Sequence, residues 1–77
     1  MRIRVLLFAG LREKTGTGEM ILELPDGCRL SDLQGRLGLE KQTWSPLAFA
    51  VNQSYVPSDT PLKDGDEVAL IPPVAGG

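Results

Sequence analysis

The sequence predicts a single α+β domain in which a sheet of four to five strands packs on one short helix. Its 77 residues are enough for one small domain. Apolar residues make up 42% of the chain and charged residues 23%, which is typical of a globular protein and not of a disordered one. Several short runs alternate between the two faces of a strand, whereas one stretch alone has helical spacing.

Two alternating runs predict the first two strands. The run from Arg2 to Ala9 sends alternate side chains to opposite faces, and the run from Glu19 to Leu24 alternates again. Residues 12–18 between them are polar and contain two glycines, which predicts a turn or loop. Pro25-Asp26-Gly27 ends the second run. The two strands are therefore expected to form an N-terminal hairpin.

One helix is predicted over about Ser31 to Leu37. Ser31 and Gln34 have the form of a capping box, and Gly38 suits a C-terminal stop. Three leucines with i, i+3, i+7 spacing share one stripe: Leu30, Leu33 and Leu37. The helix is short, so it depends on docking against the sheet.

The second half of the chain predicts the remaining strands. Leu47 to Val51 alternates, Tyr55-Val56 forms a short piece after a turn, and Val68 to Ile71 forms the last strand. A turn at residues 63–66 precedes that last strand, with a glycine at its third position. Pro72-Pro73 ends it, because proline cannot donate to a sheet ladder.

Composition excludes several classes of function. The chain has no histidine, the commonest general base and metal ligand, and its single cysteine, Cys28, allows neither an internal disulfide nor a zinc site built on cysteines. A net charge of −2 argues against nucleic acid as a partner. No apolar run approaches the roughly 20 residues of a membrane span, and no signal-peptide pattern is present. We expect a cytoplasmic protein without catalytic residues of its own and without a metal.

The last six residues differ in character from the domain before them. We expect a domain over residues 1–71 and a flexible tail over residues 72–77, Pro-Pro-Val-Ala-Gly-Gly. In extended conformation the tail reaches roughly 19 Å, with a stiff base and a thin tip. Such a segment can thread a narrow channel and present its terminal carboxylate inside another protein. The alternative is an ordinary frayed chain end.

Several segments carry a resemblance that spans the chain. They are Val5-Leu6-Leu7-Phe8-Ala9, Leu11-Arg12-Glu13, Ala50-Val51-Asn52-Gln53, Pro61-Leu62, residues 64–69, and the tail Pro72-Pro73-Val74-Ala75-Gly76-Gly77. On these residues the chain resembles the ubiquitin-like sulfur carriers, and among them the small subunit of molybdopterin synthase. The resemblance implies a ubiquitin-like β-grasp fold with a mixed sheet. The thiamin-pathway sulfur carrier is similar in fold and also ends in Gly-Gly, but as a rule it lacks the Pro-Pro-Val.

The resemblance also implies a chemistry for the chain end. A ubiquitin-activating-type enzyme uses ATP to form an acyl-adenylate on Gly77, and a persulfide donor converts the acyl group to a thiocarboxylate. The tail residues Pro72, Pro73, Val74, Ala75 and Gly76 then carry the sulfur into the large subunit of molybdopterin synthase, where it is donated to a cyclic pterin precursor. No cofactor is expected to stay bound. The family suggests a heterotetramer with two large subunits.

Docking requires a surface as well as a tail. If the bulkier stripes of the strands face the helix, the opposite face of the sheet carries Leu6, Phe8, Ala48, Ala50, Ala69 and Ile71. A contiguous apolar set at positions that would otherwise face water predicts a partner interface. Arg12 matches the family pattern and is a further candidate contact. The alternatives are scattered surface apolar residues, reversed faces and, for Arg12, a solvated loop position.

Other functions and roles stay open. A related carrier donates sulfur to thiamin or to tRNA, a ubiquitin-like modifier is joined to lysines through Gly77, and a binding module has an incidental Gly-Gly end. Cys28 is expected to be a small turn or core residue. Trp44 is expected to pack against the connection after the helix. Asp59, Asp64 and Asp66 have no calcium-loop spacing and are expected to be turn or solvated residues.

Overall fold

The computed structural model describes residues 1–73 and contains one sheet with short helical segments. Its strands are β1 (Arg2–Leu7), β2 (Glu19–Glu23), β3 (Ala48–Val51), β4 (Ser54–Tyr55) and β5 (Glu67–Ile71). Its α-helices are α1 (Ala9–Thr15), α2 (Leu33–Leu37) and α3 (Lys41–Trp44), and a 3-10 turn at Leu30–Asp32 leads into α2. None of the helices within residues 1–73 is long and apolar enough to cross a membrane.

The five strands form one mixed sheet in the order β2-β1-β5-β3-β4. β1 pairs with β5 in parallel, and the other three pairs are antiparallel. The predicted α+β class and the β-grasp architecture are therefore confirmed. Because β1 and β5 are parallel neighbours, they end at the same edge of the sheet. Because Leu7 lies opposite Leu70, this edge brings Phe8, the residue after β1, level with Ile71, the last residue of β5.

The core lies between the sheet and the helices. The inward residues of β1 and β5 are almost completely covered, as the alternation predicts, and they pack against leucines of the helical segments. The residues with at most 2% exposure are Ile3, Val5, Leu7, Leu30, Leu33, Val68 and Leu70. Trp44 is buried, which confirms a packing role, but the ring it packs against belongs to Phe49 of β3, with centroids 4.8 Å apart, and not to the connection after the predicted helix. Cys28 is partly buried against this core, as expected.

The segment after β1 was predicted wrongly. Helix α1 occupies Ala9–Thr15, where the sequence favours the end of a strand followed by a loop. Leu11 alone is buried on α1, so the segment has no apolar periodicity from which a helix could be predicted. Ala9 adopts a left-handed backbone conformation with φ of 48° and is exposed, which turns the chain out of β1 into the helix. The predicted hairpin is thus a strand pair joined through a helix.

The helical region also begins differently from the prediction. The Ser31–Gln34 capping box is wrong: Asp32 instead accepts a hydrogen bond from the backbone N–H of Arg29 at 2.8 Å. The prediction that Gly38 ends the helix is confirmed, because it lies at the C-cap with φ of 68°. Asp66 is the last residue of the predicted turn at residues 63–66, where its backbone N–H donates to the Lys63 carbonyl oxygen at 3.1 Å. It is not solvated, because it is 8% exposed and its carboxylate accepts hydrogen bonds from the Asn52 side chain (2.9 Å) and the Lys63 backbone N–H (2.8 Å).

Candidate docking surface at the root of the tail

The outer face of the sheet carries the predicted apolar residues, and strand register brings them together. Leu6 lies opposite Ala69, Ala69 opposite Ala50, and Ala50 opposite Tyr55, which forms one row across four strands. Ile71 lies opposite Ala48 in the next row toward the tail. We call this surface the apolar patch: Leu6, Phe8, Ala48, Ala50, Tyr55, Ala69 and Ile71. The predicted assignment of faces is correct.

The apolar patch is open to solvent to different degrees. Phe8 is 46% exposed and Tyr55 is 76% exposed, so large rings stand at two sides of the patch. Between them Ala50 is 7% exposed and forms part of the floor of a shallow concavity of about 370 Å³. Small residues at the floor and large ones at the sides give a surface that can receive an apolar side chain from a partner.

Tyr55 is a member of the patch that sequence reasoning missed. Its place depends on the register of the two-residue turn between β3 and β4. Asn52 and Gln53 occupy that turn with φ of 51° and 71°, which matches a tight hairpin connection. An Asn at the first turn position between two short apolar runs was the available signal.

A set of charged side chains limits the apolar patch on the side away from the tail. The guanidinium of Arg4 donates to Glu19 at 2.8 Å and to Glu67 at 3.2 Å. The hydrogen bond and charge of Glu19, and then the charge of Glu67, raise the pKa of Arg4 above its ordinary value. The Arg4 guanidinium stays charged at neutral pH, so the apolar contact area ends at this border.

Arg12, the remaining predicted contact, lies on α1 within one helical turn of Phe8. Its backbone N–H is directed at the Phe8 carbonyl oxygen, 3.5 Å away. Its side chain crosses Gly18 so closely that a Cβ on Gly18 would lie 3.2 Å from the Arg12 Nε atom. Within residues 1–73 Arg12 forms no ion pair. The side chain thus lies against Gly18 and is exposed to solvent, and it does not line the concavity of the apolar patch.

The other side of the tail root borders a second concavity. Pro72 and Pro73 line it together with Gly10, Leu11, Glu13, Lys14, Thr43 and Leu47, and its volume is about 490 Å³. We call it the α1–α3 groove. Lys14 donates to the hydroxyl of Thr43 at 3.2 Å and so links the two helices. The groove could not be predicted from the sequence, because it depends on helix α1, whose residues show no apolar periodicity.

The predicted reactive end of the chain lies outside the described residues. Gly77 and the tail residues Val74, Ala75 and Gly76 are not among residues 1–73, whereas Pro72 is half-buried and Pro73 is exposed. No cluster of three or more histidine, cysteine or carboxylate side chains suited to a metal occurs in the part that the structure describes.

Known proteins that are similar to this chain match it over its full length. The molybdopterin synthase sulfur carrier subunit of Chlamydomonas reinhardtii is 45% identical, and the alignment covers 100% of both chains. SAMP1 from Haloferax volcanii, a small archaeal modifier protein, is 25% identical with a TM-score of 0.84 and 100% coverage of both chains. The complex of subunits 1 and 2 of molybdopterin-converting factor from Helicobacter pylori contains a chain with 30% identity, a TM-score of 0.69 and 100% coverage of both chains.

The match to a family model extends over most of the chain. The model of the ThiS family matches residues 5–77, which include the second half of β1, all of β5 and the Gly-Gly end. Together with the full-length relatives, the match confirms the resemblance that the sequence motifs carry. The chain therefore belongs to the ThiS family of ubiquitin-like proteins.

Proposed function

We propose that this chain is the sulfur carrier subunit of a molybdopterin synthase. The observation that carries the proposal is the 45% identity, over the full length of both chains, to a protein of that name. The chain's own residues support it: a Pro-Pro-Val-Ala-Gly-Gly end follows directly after β5, and an apolar docking surface lies beside its root. The sequence has no histidine, which agrees with the role of a donor subunit, since such a subunit needs no general base of its own.

The reactive group in this proposal is the carboxylate of Gly77. A carboxylate is a poor electrophile, so an activating enzyme first joins it to AMP and releases pyrophosphate from ATP. A persulfide sulfur then displaces AMP, and a thiol cleaves the resulting S–S bond to leave a thiocarboxylate on Gly77. The sulfur is donated to a cyclic pterin precursor within the large subunit. Two carrier turnovers are needed for each dithiolene, because the product contains two sulfur atoms.

In this proposal the large subunit binds the apolar patch. Phe8 and Ile71 stand at the same edge of the sheet as Pro72, so a protein seated on the patch is also adjacent to the tail. In Helicobacter pylori a related chain forms a complex with subunit 2 of molybdopterin-converting factor.

An arrangement of two carriers and two large subunits is part of the proposal, as is a cytoplasmic location. The carrier itself holds no cofactor, and ATP is consumed by the activating enzyme.

The test is the intact mass of the full chain after incubation with ATP, an adenylating enzyme of this class and a persulfide donor. Replacing oxygen by sulfur changes the mass by nearly the same amount as oxidation of a methionine, so the product is alkylated and then fragmented. We expect alkylated sulfur on Gly77, and transfer of that sulfur once the large subunit and pterin precursor are added. An unmodified Gly77 with an enzyme that modifies a known carrier would overturn the proposal.

A ubiquitin-like modifier is a second candidate, and one observation favours it. SAMP1 has the same fold, with a TM-score of 0.84 at 25% identity. The same acyl-adenylate serves both functions, since a lysine amine can attack it in place of a persulfide sulfur. Expression of an epitope-tagged chain separates the two. Covalent adducts of higher mass that disappear when Gly77 is deleted would favour the modifier, whereas a carrier leaves only the free chain and its thiocarboxylate.

A further inference from the structure

The root of the tail separates two concave surfaces, one on each side of the sheet. β5 alternates, so Ile71 belongs to the apolar patch on the outer face, while Pro72 lines the α1–α3 groove on the helical side. The two surfaces are therefore joined through consecutive residues of the chain. A protein that surrounds the tail at Pro72–Pro73 meets both of them.

The length of the tail limits how far the receiving channel can lie from the groove. Four residues follow Pro73, and they span at most about 14 Å when fully extended. A receiving channel whose reactive site contacts the carboxylate of Gly77 must therefore have its entrance within about 14 Å of Pro73. Pro73 is itself part of the groove wall, so the residues around that entrance are close enough to contact the groove.

The lining of the groove indicates the chemistry of its occupant. Leu11 and Leu47 form a buried apolar base, and the two prolines provide an apolar wall. Lys14 is engaged by Thr43, whereas Glu13 is exposed and forms no ion pair within residues 1–73. The groove is thus suited to an apolar side chain with a cationic neighbour that reaches Glu13.

We propose that the α1–α3 groove is a second docking site for the large subunit and receives an apolar side chain, with a neighbouring cation, from the entrance of its tail channel. This inference rests on the proposed function, because it requires that the tail enter the large subunit. The apolar patch and the groove then clamp the tail root from opposite sides of the sheet. The clamp sets the direction in which the chain leaves the domain.

Two glycines provide a matched pair of variants for the test. Gly10 lines the groove, and a Cβ placed there meets no atom within 4 Å, so a side chain can be introduced at the groove wall without a clash at its first carbon. Gly35 lies in α2 away from the groove and has the same open surroundings. We expect Gly10→Trp to weaken binding of the full chain to the large subunit at least tenfold in calorimetry, and Gly35→Trp to stay within twofold. Glu13→Lys is expected to weaken binding as well.

The outcomes separate this inference from the proposed function. If the wild-type chain binds the large subunit and Gly10→Trp binds equally well, the groove is not a docking site and the proposed function stands. If Glu13→Lys alone binds like wild type, the cationic neighbour is refuted. If the wild-type chain does not bind the large subunit, both proposals fail. Loss of a concentration-dependent dimer in Gly10→Trp, or shifted amide resonances of the tail in the free variant, would assign the groove to a second copy or to the chain's own end.

Discussion

The apolar patch makes a quantitative prediction at Phe8. The side chain is 46% exposed, which for a surface of roughly 200 Å² leaves about 90 Å² to be covered by a partner. At about 25 cal/mol per Å², truncation to alanine removes about 2 kcal/mol of binding free energy, a roughly 30-fold rise in Kd. Phe8→Asp is expected to abolish measurable binding, because it also places a carboxylate in the contact.

Calorimetric titration of the large subunit with full-length carrier measures this change, and Ile21 provides the control. Ile21 is 52% exposed on the same face of the sheet, but it lies opposite Arg4 on the edge strand β2, beyond the charged border. Ile21→Ala should bind like wild type. Equal losses for both variants would show that exposed apolar area in general drives association. Loss of the folded spectrum in Phe8→Asp would show that this face belongs to the core.

Three further variants test other parts of the structure. Asp66→Ala should lower the free energy of unfolding by about 1–3 kcal/mol in urea titration, because the N–H of Lys63 and the amide of Asn52 lose their acceptor, whereas exposed Asp59→Ala should be neutral. Gln53→Gly should raise the unfolding free energy by about 0.5–1 kcal/mol, since φ of 71° is strained for glutamine; an unchanged or lower melting temperature would contradict this. Gly65→Ala, at φ of 86°, should lower the melting temperature, and a rise would refute the assigned backbone conformation.

The strands could be predicted from the sequence because their alternation reflects burial directly. Ile3, Val5 and Leu7 point inward and Leu6 points outward, and a shift by one residue would reverse every side chain. The same logic predicted the apolar patch, with the exception of Tyr55. Its membership depends on a turn register that apolar periodicity does not encode.

The helices could be predicted only in part. α1 has one buried residue and α3 has four residues in all, so neither shows the repeated apolar spacing that marks a helix in a sequence. Tertiary contacts stabilise them, since segments this short do not form alone. The α1–α3 groove therefore could not be predicted, because the helices that line it could not be predicted either.

The position of β5 has a consequence for how the carrier is made. β5 is the last strand within residues 1–73, and it lies between β1 and β3, which are not paired with each other within the sheet. During synthesis the two halves of the sheet cannot join until residues 67–71 have left the ribosome, and the Pro72–Pro73 segment follows immediately. Contacts of such long sequence separation also make folding slow. A chain that stops before β5 lacks the strand that joins the two halves of the sheet, so it can form neither the apolar patch nor the α1–α3 groove.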